Sequence, residues 1–131
     1  MIQTRSFSAV LFRRMSARTL KEASSGESKE IFLHLSHEAR AGIRSKLLQA
    51  HAQETKGSVR NKIGDAVAEL ARQYTDEEVM SPDGTRDTWP ELLGALFQAS
   101  NSSEAGMRES AFKIFEKIGR ASCRERVCLY V

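Results

Sequence analysis

The chain has 131 residues, of which 40% are hydrophobic and 28% charged, and its formal net charge is +3. This length fits one domain, and the apolar fraction excludes an intrinsically disordered chain. The uncharged apolar runs are only a handful of residues long, so no membrane-spanning segment is expected. The scarcity of prolines and of β-branched runs favours an all-α protein.

The last fourteen residues, 118–131, distort the charge balance, with three arginines against one glutamate, and they contain both cysteines, Cys123 and Cys128. Without them the chain has 17 basic and 16 acidic residues. A basic pI of about 9.1 therefore gives no indication of nucleic-acid binding. The segment, IGRASCRERVCLYV, resembles a translated sequencing adapter, because GATCGGAAGAGC read with ATC as first codon encodes Ile-Gly-Arg-Ala. We expect a non-native tail at 118–131, with the helical pattern ending at Gly119.

The first predicted helix, Gln3–Leu20, carries apolar residues at helical spacing and is followed by a linker-like stretch, Ala23–Lys29. A second helix is predicted to begin after Ser36, whose hydroxyl suits an N-cap, and to end at Lys56–Gly57. Its apolar stripe consists of Ile43, Leu47 and Leu48.

The third helix is predicted to begin after an N-cap at Ser58. Its single buried stripe consists of Val59, Ile63, Ala66, Val67, Leu70 and Ala71. An acidic segment, 76–87, follows and contains a Pro82-Asp83-Gly84 turn. Pro90 suits the first turn of the fourth helix, whose stripe is Leu92, Leu93, Leu96 and Phe97. A fifth helix is marked by Met107, Ala111, Ile114 and Phe115.

The chain repeats itself with a period in the high forties. LQAHAQETKGSVR (48–60) aligns with FQASNSSEAGMR (97–108) with one gap, and the stripe of the third helix maps onto that of the fifth by a shift of 48 residues. Two helices per unit and this length are close to HEAT and armadillo repeats. The pattern predicts an α-solenoid of HEAT-repeat hairpins over residues 1–117, made of the second half of one repeat and two full repeats. A compact helical bundle with chance similarity is the alternative.

Certain positions have predicted structural roles in this repeat. Leu70 and Phe115 lie on the buried stripes that stacked units cover. Arg60 and Arg108 open equivalent helices, and they are predicted to hold the turn before each helix by bonding neighbouring carbonyls or acids.

No group of residues indicates an enzyme, a cofactor or a metal centre. The histidines are His34, His37 and His51, and two ligands three residues apart do not make a metal site. We expect these histidines to be exposed or adjacent to helix caps. A phosphate-binding loop and a nucleophile elbow are absent from the sequence. Asp76, Glu77 and Glu78 are expected to form a solvated acidic turn.

Several blocks of sequence resemble the N-terminal HEAT repeats 2–4 of the importin-β (karyopherin-β) family and, within that family, its beta-3 type. They are RSFSAVLFRRM (5–15), LSHEARAGIRSKLLQA (35–50), VRNKIGDAVAELARQY (59–74), WPELLGALFQ (89–98) and GMRESAFKIF (106–115). Their order and gaps match the family. The EVMSPDGTRD insert before Trp89 is longer than the family pattern leads us to expect.

The resemblance implies an ARM-like superhelix that is a fragment of a nuclear transport receptor of the cytoplasm, nucleus and nuclear pore. Its implied partners are Ran in the GTP form, cargo proteins and Phe-Gly nucleoporins; nucleic-acid binding and membrane insertion are not expected. In this family the second helix of each repeat lines the concave face. The resemblance therefore gives Arg13, Arg14 and Lys62 as candidate Ran- or partner-binding residues. Arg44, on a first helix, is the comparison: reversing its charge is expected to weaken Ran binding less than reversal at Arg13 and Arg14. A HEAT scaffold of another complex and a non-functional truncated product remain alternatives.

Overall fold

The computed structural model of the chain describes residues 2–21, 26, 28–76 and 79–125. Within them lie five α-helices, a short 3-10 helix and a two-stranded antiparallel hairpin. The α-helices are α1 (Ile2–Ala17), α2 (His37–Gln53), α3 (Gly57–Asp76), α4 (Pro90–Ser100) and α5 (Ala105–Glu125). The hairpin pairs β1 (Thr19–Lys21) with β2 (Ser28–Glu30), and the 3-10 helix Ile31–His34 follows it. The predicted all-α class is confirmed, with this hairpin as a small addition.

The helices stack in two layers. The second helices of the repeats, α1, α3 and α5, form what we call the second-helix layer, in which α3 lies between α1 and α5 and packs against both. The first helices, α2 and α4, contact each other and form the first-helix layer; α2 packs on α3, and α4 packs on α5. The pairs α2–α3 and α4–α5 are therefore helical hairpins that stack side by side, as in an α-solenoid. The predicted solenoid is confirmed.

The helix starts agree with the sequence at two of three predicted positions. Ser36 is the N-cap of α2, and its hydroxyl accepts a hydrogen bond of 3.2 Å from the Ala39 amide. Pro90 is the first residue of α4, where its missing N–H is not needed. The predicted N-cap at Ser58 is wrong: α3 begins at Gly57, which places Ser58 inside the first turn.

The apolar stripes form most of the core. All six stripe residues of α3 are buried, and Met107, Ala111 and Ile114 are buried on α5, with Phe115 half-buried. The stripe of α4 is only half correct. Leu92 and Leu96 are buried, but Leu93 and Phe97 are exposed because each lies about 100° further round the helix.

Two helix ends differ from the sequence pattern. The first helix ends at Ala17 instead of Leu20, because the chain passes into β1, which pairs with part of the predicted linker. The last helix does not end at Gly119 but continues to Glu125. A glycine inside a helix costs only about 1 kcal/mol, and no proline follows it before Glu125. Residues 126–131 lie outside the described part of the chain, and the non-native origin of 118–131 stays a prediction.

Candidate functional site

The second-helix layer brings three cationic side chains together in a basic patch: Arg13 of α1, Lys62 of α3 and Lys117 of α5. Burial lowers the pKa of Lys117, and the positive charges of Arg13 and Lys62 lower it further. The three side chains belong to neighbouring helices, because α3 packs against both α1 and α5.

This basic patch keeps a surplus of positive charge. Lys117 contacts the Asp65 carboxylate of α3, which offsets one of the three charges. Lys62 is exposed and Arg13 is half-buried, so both remain at the surface. The sequence of α1 has no acidic residue. The patch is therefore suited to an acidic partner surface.

Arg14 does not belong to the basic patch. Adjacent residues of a helix point about 100° apart, and Arg14 is exposed whereas Arg13 is half-buried. Its spacing places Arg14 on the face of α1 that carries Leu11, three residues earlier. The predicted candidate set Arg13, Arg14 and Lys62 is thus divided between two surfaces.

Arg60 and Arg108 hold equivalent turns in the two repeats. Arg60 donates from Nε and Nη2 to the Glu54 carbonyl, at 3.2 and 2.8 Å. Arg108 donates from Nη1 to the Ser102 carbonyl at 2.8 Å. Each arginine therefore reaches the sixth residue before it, and the 48-residue period extends to these individual hydrogen bonds.

Arg60 also takes part in a line of polar contacts that crosses all three stacked units. Arg5 of α1 donates to both carboxylate oxygens of Glu54, at 2.9 and 3.1 Å. Arg60 binds the same residue, because it donates to the backbone carbonyl of Glu54. Its Nη2 also donates to Glu104 Oε1 at 2.9 Å. A Cβ on Gly106 would lie 2.9 Å from Arg60 Nη1, so a glycine leaves room for the guanidinium. We call Arg5–Glu54–Arg60–Glu104 the polar ladder.

A buried ion-pair network was missed by the sequence analysis. Asp87 accepts hydrogen bonds from Arg40 Nε at 3.3 Å, Arg44 Nη1 at 3.3 Å and the Tyr74 hydroxyl at 3.2 Å. The Asp87 side chain is 4% exposed. Burial alone would raise the pKa of Asp87, but Arg44, Tyr74 and Arg40 outweigh it and the net shift is downward.

This network corrects the interpretation of α2. Arg44 was expected to be an exposed charge and is instead buried, so it is unsuitable as a surface comparison. The sequence signal that could have indicated this network is the i, i+4 spacing of Arg40 and Arg44, which places both on one face of α2.

The network anchors the loop before α4 to α2 and α3. The predicted turn within this loop is confirmed, since the Gly84 amide bonds to Ser81 and Gly84 has a φ of +87°.

His51 contradicts the expectation that every histidine is exposed or near a cap. It is buried on α2, and its Nε2 lies 2.8 Å from the Ser110 hydroxyl of α5, so this pair joins neighbouring repeats. Burial, and then the charge of Arg60, lower the pKa of His51 from 6.5 to about 4. His51 is therefore neutral at physiological pH.

We expect His51 to make the folded state sensitive to mild acid. Between pH 6.5 and about 4 the unfolded chain binds a proton at His51 and the folded chain does not. The free energy of unfolding therefore falls with pH over this range, by up to roughly 3 kcal/mol at about 1.4 kcal/mol per pH unit. Urea unfolding at a series of pH values measures the slope. His51→Gln should reduce it and His34→Gln, at an exposed position, should not; equal slopes in all three proteins would contradict the assignment.

Comparison with known proteins places the chain in a family. The family model described as "IPO5-like, TPR repeats" matches residues 55–122. The importin subunit beta-3 of Saccharomyces cerevisiae (strain ATCC 204508 / S288c) is 32% identical over 111 residues, which cover 85% of this chain and 9% of that protein. The chain belongs to the importin-β family.

Two further matches support the importin-β assignment. The probable importin-5 homolog of Dictyostelium discoideum is 28% identical over 114 residues, covering 87% of this chain and 9% of that protein. The crystal structure of Kap121p matches with a TM-score of 0.63 and 32% identity, over 88% of this chain and 9% of that chain. The chain thus spans about one tenth of the length of these relatives.

The repeats of this importin-β family chain are of HEAT type. TPR units have about 34 residues, whereas units of about 40–47 residues are typical of HEAT and armadillo repeats. The hydrogen bonds of Arg60 and Arg108 recur after 48 residues, which is nearer to the HEAT length.

Neither a metal site nor a membrane span is found in the part of the chain that the structure describes. No three His, Cys, Asp or Glu side chains among residues 2–21, 26, 28–76 and 79–125 are grouped to hold a metal ion. No described helix is long and apolar enough to cross a bilayer.

Proposed function

We propose that this chain forms part of a nuclear transport receptor and that its basic patch contributes to binding Ran in the GTP form. The observation that carries the proposal is the position of Arg13, Lys62 and Lys117 on the second-helix layer of an importin-β family chain. Cargo proteins are the other proposed partners, with action in the cytoplasm, the nucleus and at the nuclear pore. No catalytic step is part of this role.

The chemistry of the basic patch suits a protein partner. An arginine guanidinium binds carboxylates with two parallel hydrogen bonds, and lysine adds a mobile point charge. The three side chains come from three different helices, so the fold fixes their spacing. A partner that carries acidic side chains at a matching spacing is recognised by geometry as well as by charge.

A cavity among helices α2 to α5 supports the proposal of a second partner. It has a volume of about 210 Å³ and is mostly apolar. Its lining includes Leu48 and Ala52 of α2, Ala99 of α4, Val67 of α3 and Ile114 of α5. An apolar cavity between two helices can receive an aromatic side chain from an extended peptide. We propose it as the place where a Phe-Gly nucleoporin segment binds.

The Ran proposal predicts binding that depends on the nucleotide and on the basic patch. Isothermal titration of the chain with Ran loaded with a non-hydrolysable GTP analogue should give a measurable affinity, and Ran·GDP should bind much more weakly. The double variant Arg13→Glu/Lys62→Glu should weaken binding at least about tenfold, because charge reversal places like charges against the partner.

Lys46→Glu is the matched control, because Lys46 is an exposed cation on α2, outside the second-helix layer. Its affinity for the GTP form should stay within about twofold of the unmodified chain. Equal binding of both nucleotide forms, or equal losses at the basic patch and at Lys46, would contradict the proposal.

A further inference from the structure

Asp65 places a carboxylate inside the basic patch. It lies on α3 three residues after Lys62, a spacing at which two side chains share one face of a helix. From the neighbouring helix α5, the Nζ of Lys117 contacts Oδ1 of Asp65. The patch therefore contains, beside its three cations, a negative charge that belongs to the chain itself.

The packing of α3 against α5 sets the position of this ion pair. Gly64 precedes Asp65 and lies close to α5: a Cβ on it would be 3.4 Å from the Ile114 side chain and 3.5 Å from the Ser110 hydroxyl. Asp65 and Lys117 line the same small cleft of about 20 Å³ between the two helices. The contact thus follows from the backbone positions of two packed helices, and not only from the reach of a long lysine side chain.

Both groups of the ion pair are accessible to a partner. The Lys117 side chain is 47% exposed and that of Asp65 is 24% exposed. Water and dissolved salt weaken the attraction in such a pair, so separating it costs little free energy. The pKa of Lys117 is lowered, by burial and by the charges of Arg13 and Lys62, although a carboxylate lies beside it. A carboxylate of a binding partner can therefore take the place of Asp65 beside Lys117.

We propose that Asp65 competes with an acidic partner for Lys117 and thereby limits the affinity of the basic patch. In the free chain Asp65 holds Lys117, and in the complex a carboxylate of the partner does so. The charge of Asp65 then remains beside Lys62 and repels the same partner, since like charges that meet at an interface oppose binding. The contact is autoinhibitory. This inference rests on the proposed binding of an acidic partner at the basic patch.

Asp65→Asn tests the competition, because asparagine keeps the size of the side chain and removes its charge. Isothermal titration measures the affinity for Ran loaded with a non-hydrolysable GTP analogue. Fluorescence anisotropy at low ionic strength measures the affinity for a labelled hexaglutamate peptide, a probe that does not depend on Ran. Asp65→Asn should bind both probes about three- to fivefold more tightly. In Asp65→Asn/Lys117→Met the gain should disappear, because the released cation is missing.

Glu91→Gln is the matched control, because it removes the same charge from an exposed position on α4, in the first-helix layer. Its affinity for either probe should change by less than about twofold. Asp65 and Lys117 are partly exposed, so circular dichroism should show folded helices in every variant.

Three results would overturn the proposal: unchanged or weaker binding by Asp65→Asn of a probe that the unmodified chain binds, a gain that persists without Lys117, or an equal gain in Glu91→Gln. A chain that binds hexaglutamate but not Ran would contradict the Ran proposal alone, and the hexaglutamate series would still decide the role of Asp65. A chain that binds neither probe would overturn both.

Discussion

Replacing Leu70 with alanine is expected to lower the free energy of unfolding by about 2–5 kcal/mol. Leu70 is 0% exposed and lies in the main core cluster, where α3 meets its neighbours. The loss combines the transfer energy of the removed methyl groups with a cavity that the surrounding helices fill only partly. Domains of this size have a total stability of about 5–15 kcal/mol, so the variant should lose much of its cooperative unfolding transition.

Leu93→Ala is the matched control, because it removes the same atoms from an exposed position on α4. It should change the free energy of unfolding by no more than about 0.5 kcal/mol. Urea and thermal unfolding followed by circular dichroism measure both variants. A sharp thermal transition for Leu70→Ala within a few degrees of the unmodified chain would count against the buried position of Leu70 and against the solenoid packing.

Asp87→Asn is expected to lower the free energy of unfolding by about 3–5 kcal/mol, because it leaves two buried arginine charges without their carboxylate. The pKa of Asp87 is lowered in the folded state. Its ion pairs therefore contribute stability above the unfolded pKa near 3.8, and this contribution is lost as pH falls through the lower folded value. Urea unfolding at neutral pH measures the change.

Two comparisons make the test specific to the buried network. Glu109→Gln removes a carboxylate from an exposed i, i+4 pair and should cost only about 0.5 kcal/mol or less. The triple variant Asp87→Leu/Arg40→Met/Arg44→Met removes all three charges and should recover part of the lost stability. The recovery is incomplete because the carbonyls of Leu35, Met80 and Thr88 lose their arginine donors. If Asp87→Asn were no worse than Glu109→Gln, or if the triple variant were far less stable than Asp87→Asn, the network would not stabilise the fold as described.

The sequence predicted those parts of the fold that depend on repeated apolar spacing. The stripe from Val59 to Ala71, the start of α4 at Pro90 and the 48-residue period are all present in the structure. Each of these follows from residues within one or two turns of one another, or from self-similarity along the chain. The family resemblance rests on the same patterns and is confirmed by the comparisons.

The polar interior could not be predicted from such patterns. Arg40 and Asp87 are 47 residues apart, and only the folded loop brings them together. An apolar stripe cannot identify Arg44 or His51 as buried, because their burial depends on partners from other elements. Sequence reasoning therefore treated Arg44 as an exposed charge and His51 as exposed or adjacent to a cap.

The candidate site was predicted only in part, for a related reason. Arg13 and Arg14 are neighbours in the sequence but occupy different faces of α1. Lys117, which completes the basic patch, was not among the predicted candidates. It joins Arg13 and Lys62 only because α5 packs beside α3 in the second-helix layer.

The polar ladder ties the three stacked units together along one edge. Its first step joins an exposed arginine to a buried carboxylate, since the Arg5 side chain is 45% exposed and that of Glu54 is 7% exposed. Its last step reverses this arrangement, since Arg60 is 2% exposed and Glu104 is 56% exposed. Each ion pair therefore has one partner that solvent reaches, and dissolved salt screens both. Raising the ionic strength should accordingly loosen both junctions of this edge together.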